Sequence, residues 1–534
     1  MRSPSRRYLS VWLRRLPTDR IARRSSAPDD LPLVVVAPVR SALRVSALND
    51  TAAALGLTCG LPLADVRAMY PAIRVRDADP VADRRLLEAV ADWCDRYTPL
   101  VGLDPPDGLL LDISGCAHLF GGEQALGRDL AAGLSRQGLQ ARLGLADTPG
   151  CAFAVARCGK TRLVPPGAQR DALAPLPLAA LRIEAAIVAA LAQAGLKRIA
   201  DIMARPRAPL AARYGATLLR QLDRALGLEN EPIKPRLPLP SYMAERRFPD
   251  PIGREDDVLG TLAQLAQELC RTMERRGEGA RLLQVALYRA DGKVHRLEAG
   301  AGQPLRDPQQ MRRLFVERLA VVGDACDPGF GYDMVRLSAL VAEPLLPVQS
   351  GLDTGDHRAE LAHLIDRLSA RFGAGRLTRP LPRDTHIPER AIAAVPAQVV
   401  SDTVRPMLAM SGDSARHDDL QDSLVQDSLA PVRPLRLFAM PERVEVINEV
   451  PDGAPARFTW RRRVHHVRAA EGPERIAMEW WSGGPRALPR DYFRVESREG
   501  LRAWLFRQDF HVTDEAGDET DETVSRWFVH GLFA

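Results

Sequence analysis

The sequence predicts a multidomain α+β protein, and three observations carry that expectation. Apolar strands and amphipathic helices alternate through the first 165 residues or so. Between residues 240 and 345 the pattern runs strand, helix, hairpin, helix, strand, a split βαβ order. Five of the seven tryptophans (460, 480, 481, 504 and 527) fall in the last hundred residues, where aromatic strands suggest a small β-rich module.

In the first region RYLSVWL (7–13), LVVVA (33–37), GLLLDIS (108–114) and ARLGLA (141–146) predict strands. Leu87, Val90 and Leu126, Leu130, Leu134 fall at helical spacing on the two segments between them. Residues 166–235 are rich in alanine and leucine and predict a small helical domain. In 236–345, EDDVLGTLAQLAQELCRTMERRG and QQMRRLFVERLAVV predict amphipathic helices. ARLLQVALYRA and KVHRLEA form a hairpin about Asp291-Gly292. Residues 346–434 hold a helix (358–372) and then a Pro-, Asp- and Ser-rich stretch, 379–434, which by composition is a flexible linker. The β-rich module occupies 435–534.

At about 100–200 residues per domain, 534 residues allow about three to five domains. Charged residues at 26% and hydrophobic residues at 46% exclude a disordered chain. The net charge of +5 supports nucleic-acid binding only weakly. The cations are almost all arginine, the side chain best suited to phosphate. Seven scattered cysteines without a CxxC pair argue against a zinc site or a disulfide framework, and so for a reducing, cytoplasmic setting. The short N-terminal apolar run, broken by Arg14 and Arg15, does not make a signal peptide, and no stretch of about 18 apolar residues predicts a membrane span.

RRYLSVWLRRLPTDRI, the pairing of DGLLLDISG with ADTPGCAFAVARCGKT, and the ending RDYFRVES…RWFVHGLFA together resemble the ImuB-type proteins. These are catalytically degenerate relatives of the Y-family (UmuC/DinB-like) DNA polymerases. The resemblance spans essentially the whole chain. It implies a polymerase-like right hand: palm at 1–165 with inserted fingers at about 28–80, thumb at 166–235 and little finger at 236–345. A clamp-motif region and linker (346–434) and a partner-binding module (435–534) would follow.

Active Y-family enzymes use two magnesium ions held by an Asp at the end of the first strand and by an Asp-Glu pair before an LD[VI][TS] strand. Here Trp12 stands at the first position, with Arg14 after it. Aligning LDIS without a gap puts Asp107 and Gly108 on the pair. One carboxylate of three survives, so the resemblance implies no catalytic residue and no metal. Magnesium returns only under the alternative of an active polymerase with a displaced site, in which Asp104 would serve. Each residue also has a structural role open to it: Trp12 as a core or cleft filler, Asp107 as a turn residue in PPDG, Asp112 as a structural carboxylate. The nucleotide-contacting Tyr and Arg of the fingers are matched by Asp50 and Ala53, which weakens triphosphate binding.

LAQAGLKRIADIM resembles the first hairpin of a helix-hairpin-helix motif, which implies DNA-backbone contact at Gly195, Lys197 and Arg198. Arg246, Arg247, Arg281, Arg289 and Arg296 are candidate DNA contacts of the little finger. A sliding-clamp peptide is expected just past that domain, where Gln349 and Leu352 fit and Asp353 replaces the aromatic. Rivals are Gln421 with Leu424, Gln426 with Leu429, and the PLRLF run Leu435, Leu437, Phe438. The implied partners are damaged or primed DNA, the clamp, a RecA-like ImuA-type protein and an error-prone replicative-type polymerase, in the cytoplasm at the nucleoid.

Overall fold

The computed structural model describes residues 6–23, 31–345, 357–398, 433–448, 453–479, 481, 488–513 and 519–533. They divide into two compact units, Met1–Phe372 and Gly373–Ala534. Among the described residues no helix is long and apolar enough to cross a membrane.

The first unit opens with a four-stranded antiparallel palm sheet in the order Val101–Asp104, Gly108–Asp112, Tyr8–Trp12, Arg142–Ala146. Its first face is covered by the helices Pro80–Cys94 and Glu123–Arg136, whose apolar stripes (Leu87, Val90, Trp93; Leu126, Leu130, Leu134) form one core with Leu9, Val11, Leu109 and Leu111. The opposite face takes the helix Pro149–Cys158, capped by Thr148 accepting from the Cys151 N–H. That helix lies almost on the sheet: a Cβ on Gly144 would stand 2.3 Å from the Ala152 carbonyl oxygen, so only glycine fits. This close approach brings Arg157, in the last turn, over the strand ends.

The fingers are a small three-stranded sheet, Ala42–Leu48, Leu33–Val39, Arg74–Asp77, around Val34, Val45, Ala52 and Val66. The helical thumb packs Leu191, Ile199, Leu218 and Leu222 into one core with Cys151 and Val155 of the palm helix. The little finger is a four-stranded antiparallel sheet in the order Val294–Leu305, Glu278–Arg289, Tyr332–Pro344, Tyr242–Ile252. Glu255–Glu274 and Pro308–Val322 pack on it. So does His357–Phe372, whose Ala370 joins the same core.

The second unit is a closed six-stranded barrel, Arg436–Asn448, Pro455–Trp460, Arg463–Ile476, Arg490–Ser497, Arg502–Thr513 and Glu519–Leu532. Val444, Phe458, Trp460, Phe493, Leu505, Trp527 and Val529 fill one cluster. Tyr492, Trp504, Phe506 and Ile476 form a second. Trp460 pairs directly with Arg463, so the connection is a two-residue turn. Both of its residues, Arg461 (φ 49°) and Arg462 (φ 66°), adopt the left-handed conformation, at a cost of about 1–2 kcal/mol each for a side chain with a Cβ.

One expectation needs correcting. The stretch 379–434 is not linker from its start. Thr378–Pro382 pairs with Ile392–Pro396, and Ile387 between them is fully buried. Thr385 donates to Glu479 at 2.5 Å and Arg490 donates to Glu389 at 2.8 Å, so this hairpin is part of the barrel unit. Proline is tolerated here because a two-stranded ribbon is all edge.

Candidate functional site

The geometry that would carry metal ions in an active palm sits where the first strand ends against the 104–108 turn. Trp12 pairs with Gly108 on one side and Arg142 on the other. Asp104 pairs with Gly108 across the turn, and the Leu13 N–H donates to the Asp107 carbonyl at 2.8 Å. The fold thus brings Trp12, Asp104, Asp107 and Gly108 together. What fills the space between them is new.

The Trp12 indole N–H donates to Asp107 Oδ2 at 2.8 Å. Arg157 Nη2 donates to Asp107 Oδ1 at 3.0 Å and stands 3.5 Å from Asp104 Oδ2. The guanidinium also lies 5.5 Å over the Trp12 ring and 3.7 Å over that of Phe153. Arg182, paired with Glu231 at 2.6 Å, covers the other side of Phe153 at 4.5 Å. Burial lifts Asp104 above its ordinary carboxylate range, against the pull of Arg182 and Arg157. Burial likewise lowers Arg157, and Asp104 and Asp107 push back.

Two magnesium ions need several oxygen ligands free to turn lone pairs inward. These residues do not fit that requirement. Both Asp107 oxygens are engaged by N–H donors. The charge between the carboxylates is a guanidinium. Trp12 offers an indole N–H, which is a donor only. Gly108 cannot simply regain a ligand, because a Cβ there would lie 2.9 Å from Arg157 Nη2 and 3.0 Å from Asp104 Oδ2. Asp104, the displaced-ligand candidate, does come to Asp107, but with Arg157 between them. Asp112 accepts from the Ser114 N–H at 3.0 Å and serves the chain turn.

In the fingers, Asp50 opens the short helix Asp50–Ala54 behind the Asn49 cap and pairs with Arg15 of the palm. Ala53 is half-buried. Arg15, Asn49, Asp50 and Gln140 line a cavity of about 380 Å³ between fingers and palm. A carboxylate pairs with the nearby cation there.

Gly195 (φ 80°) ends the helix Ala185–Gln193, with its own N–H on Ala192 and that of Leu196 on Leu191. The amides of Lys197 and Arg198 both donate to Asp201 Oδ2 at 2.8 Å. The backbone-amide mode of phosphate contact is therefore satisfied internally at all three residues. The Lys197 and Arg198 side chains are exposed.

The little-finger arginines are corrected in part. Arg246 is exposed. Arg289 is buried on Asp291, and Arg281 pairs with Glu343 at 3.2 Å. Arg296 reaches Asp92 at 2.8 Å and Asp95 at 3.4 Å on the palm, while Arg247 donates to the Arg96 carbonyl at 2.9 Å. Arg336, which sequence reasoning missed, is buried between Asp95 at 3.1 Å and Glu245 at 2.8 Å, with the Tyr288 hydroxyl at 3.0 Å. Arg247, Arg296 and Arg336 bind the little finger to the palm.

Of the clamp-peptide candidates, Gln349, Leu352, Asp353, Gln421, Leu424, Gln426 and Leu429 lie outside the described residues. PLRLF is not a free peptide. Arg436 and Leu437 pair with Leu532 and Gly531 in the barrel wall, and Leu437 and Phe438 pack against its clusters. Leu435 and Arg436 are open to solvent.

Comparison with known proteins bears on the same residues. Residues 23–157 match the impB/mucB/samB family, 240–351 its C-terminal domain, and 431–533 a domain of unknown function (DUF6504). Protein ImuB of Caulobacter vibrioides (strain NA1000 / CB15N) is 39% identical over 491 residues, covering 90% of this chain and all of that protein. DNA polymerase IV of Dehalococcoides mccartyi (strain CBDB1) is 21% identical over 352 residues, 64% of this chain and 89% of that one. Among solved structures, DinB from Sulfolobus solfataricus aligns with a TM-score of 0.37 at 14% identity, covering 62% of this chain and 98% of that chain. With a palm, fingers, thumb, little finger and C-terminal barrel in that order, this chain belongs to the ImuB family of Y-family polymerase-like proteins.

Proposed function

We propose that the chain is a non-catalytic adaptor in translesion DNA synthesis and damage-induced mutagenesis. It holds primed or damaged DNA and the sliding clamp, and brings in an error-prone replicative-type polymerase with a RecA-like ImuA-type protein. The observation that carries the reading is Arg157 lodged between Asp104 and Asp107 with the Trp12 indole closing Asp107. An internal cation stands where catalysis needs exchangeable ones. The retained hand supports DNA binding, since nothing else in the chain explains keeping four polymerase-like domains without their chemistry.

The alternative, an active polymerase with a displaced site, requires a third carboxylate near Asp104 and Asp107. Among the described residues no group of three metal-binding side chains forms, and Glu231 nearby is held by Arg182. The adaptor reading is tested by pairing a clamp pull-down with a DNA-binding measurement on the full chain. Both bind, and Gln349→Ala releases the clamp while DNA binding persists. Failure to bind either one contradicts the reading. Removing residues 435–534 abolishes recruitment of the partner polymerase. Undiminished damage-induced mutagenesis after that deletion contradicts the recruiting role.

A further inference from the structure

We propose that the C-terminal barrel is a second nucleic-acid-binding element, which grips the phosphate backbone with the hairpin 455–468. The hairpin lies in the region that matches only a domain of unknown function. Its sequence, PARFTWRRRVHHVR, holds Arg457, Arg461, Arg462, Arg463 and Arg468, two histidines and no carboxylate.

Strand alternation sorts these residues onto two faces. Phe458 and Trp460 turn into the barrel, Val467 packs against the same cluster, and His465 stacks on Phe458 with centroids 5.0 Å apart. Arg457, Val464, His466 and Arg468 turn outward and are exposed, with Arg457 directly opposite His466. Arg443 is exposed on the neighbouring strand.

Several arginines elsewhere in the barrel are partnered: Arg433 with Glu474, Arg475 with Asp491, Arg490 with Glu389, Arg494 with Glu471, Arg502 with Glu496. Arg457, Arg462 and Arg463 form no ion pair among the described residues. Clustered like charges repel, so such a cluster lacks an internal reason.

The turn adds an independent observation. Two-residue turns with positive φ at both positions take Asn-Gly without strain, yet here both residues are arginine. Arg461 is fixed by two bonds to Glu442 at 3.0 and 2.6 Å and lies 4.6 Å over the Trp460 ring. That anchor holds the turn in its strained form and leaves Arg462 and Arg463 at the tip. A local rule is broken and positive charge is what results.

The chemistry favours phosphate over a protein surface. Protein interfaces centre on large apolar anchors. On this hairpin the aromatic residues point inward and Val464 is the large apolar side chain left outside. With Phe458 and Trp460 turned inward and no exposed Phe, Tyr or Trp on the hairpin for base stacking, contact is chiefly to the backbone: sequence-independent and salt-sensitive. The proposal goes beyond the adaptor reading and does not depend on whether the palm is inactive.

The test measures full-length chain binding a short fluorescent DNA duplex between about 50 and 200 mM salt. One variant carries Arg457→Gln, Arg462→Gln and Arg463→Gln; another carries lysine at the same three positions. The expected result is weaker binding for the Gln variant. Its slope of log affinity against log salt should fall by up to about 2.7, three phosphates at roughly 0.9 each. The Lys variant keeps most of the slope. Arg462→Gln with Arg463→Gln alone, at the solvent-exposed tip, lowers it by up to about 1.8 and covers the case in which the triple variant misfolds. An unchanged slope and affinity in the folded double or triple Gln variant overturns the proposal. So does loss of a protein partner with DNA binding intact.

Discussion

Arg157 and Asp107 meet at 3.0 Å at the point where the palm of a polymerase would hold metal, and the two residues come from elements 50 positions apart. The contact is a partly buried ion pair, with the Arg157 side chain 15% and the Asp107 side chain 29% exposed.

Removing the cation should therefore cost stability. Arg157→Met leaves Asp107 with only the Trp12 N–H and leaves the buried Asp104 with Arg182 as its remaining nearby cation. Breaking a buried pair from one side costs about 3–5 kcal/mol, and residual access to water here reduces that to about 2 kcal/mol. Denaturant unfolding of the full chain checks it. Arg157→Met combined with Asp104→Asn is expected to recover part of the loss, because the remaining buried carboxylate is neutralised.

The palm–little finger contact should be loosened by a single carboxylate. Asp95 accepts from Arg336 at 3.1 Å and Tyr288 at 3.0 Å and lies 3.4 Å from Arg296. Asp95→Ala strands the buried Arg336, which retains Glu245, at a cost of about 2 kcal/mol. Hydrogen exchange across strands 278–289 and 332–344 is expected to rise in the variant, with the palm helix 80–94 following.

The barrel should weaken in acid. His530 is fully buried against Tyr492, Trp504 and Phe506, and its Nδ1 meets the Tyr492 hydroxyl at 2.7 Å. Burial pushes it down to about 4, although Glu389 pulls the other way. A histidine whose folded value lies below its unfolded value of about 6.5 takes up its proton on unfolding. Stability from the neutral ring is complete above about 6.5 and falls as pH drops toward 4, by about 1–3 kcal/mol. Thermal melts of the full chain across this range check it. His530→Phe, which has nothing to protonate, is expected to flatten the dependence.

Much of the fold was legible in sequence because strand alternation, helical spacing and the Asp291-Gly292 turn are local signals. That Trp12 and Gly108 cannot ligate a metal was legible for another reason: ligation depends on residue identity, and neither residue can supply a carboxylate. Arg157 was not legible. In GCAFAVARCGKT it is one cation in a last helical turn, and only the close packing of Gly144 against Ala152 aims it at Asp107. The roles of the little-finger arginines were not legible, because their partners lie far away in sequence: Arg296 reaches Asp92 and Arg247 the Arg96 carbonyl of the palm. Prolines at 380, 382 and 396 suggested linker, but a two-stranded ribbon can hold them.

Primer extension by the purified full chain tests the central claim most directly. A primed template with all four nucleotides, in magnesium and separately in manganese, is expected to show no extension. Trp12→Asp with Gly108→Glu is expected to show none either, because Arg157 still occupies the space between the carboxylates. Templated extension by the unaltered chain, abolished by Asp107→Ala, would contradict the account.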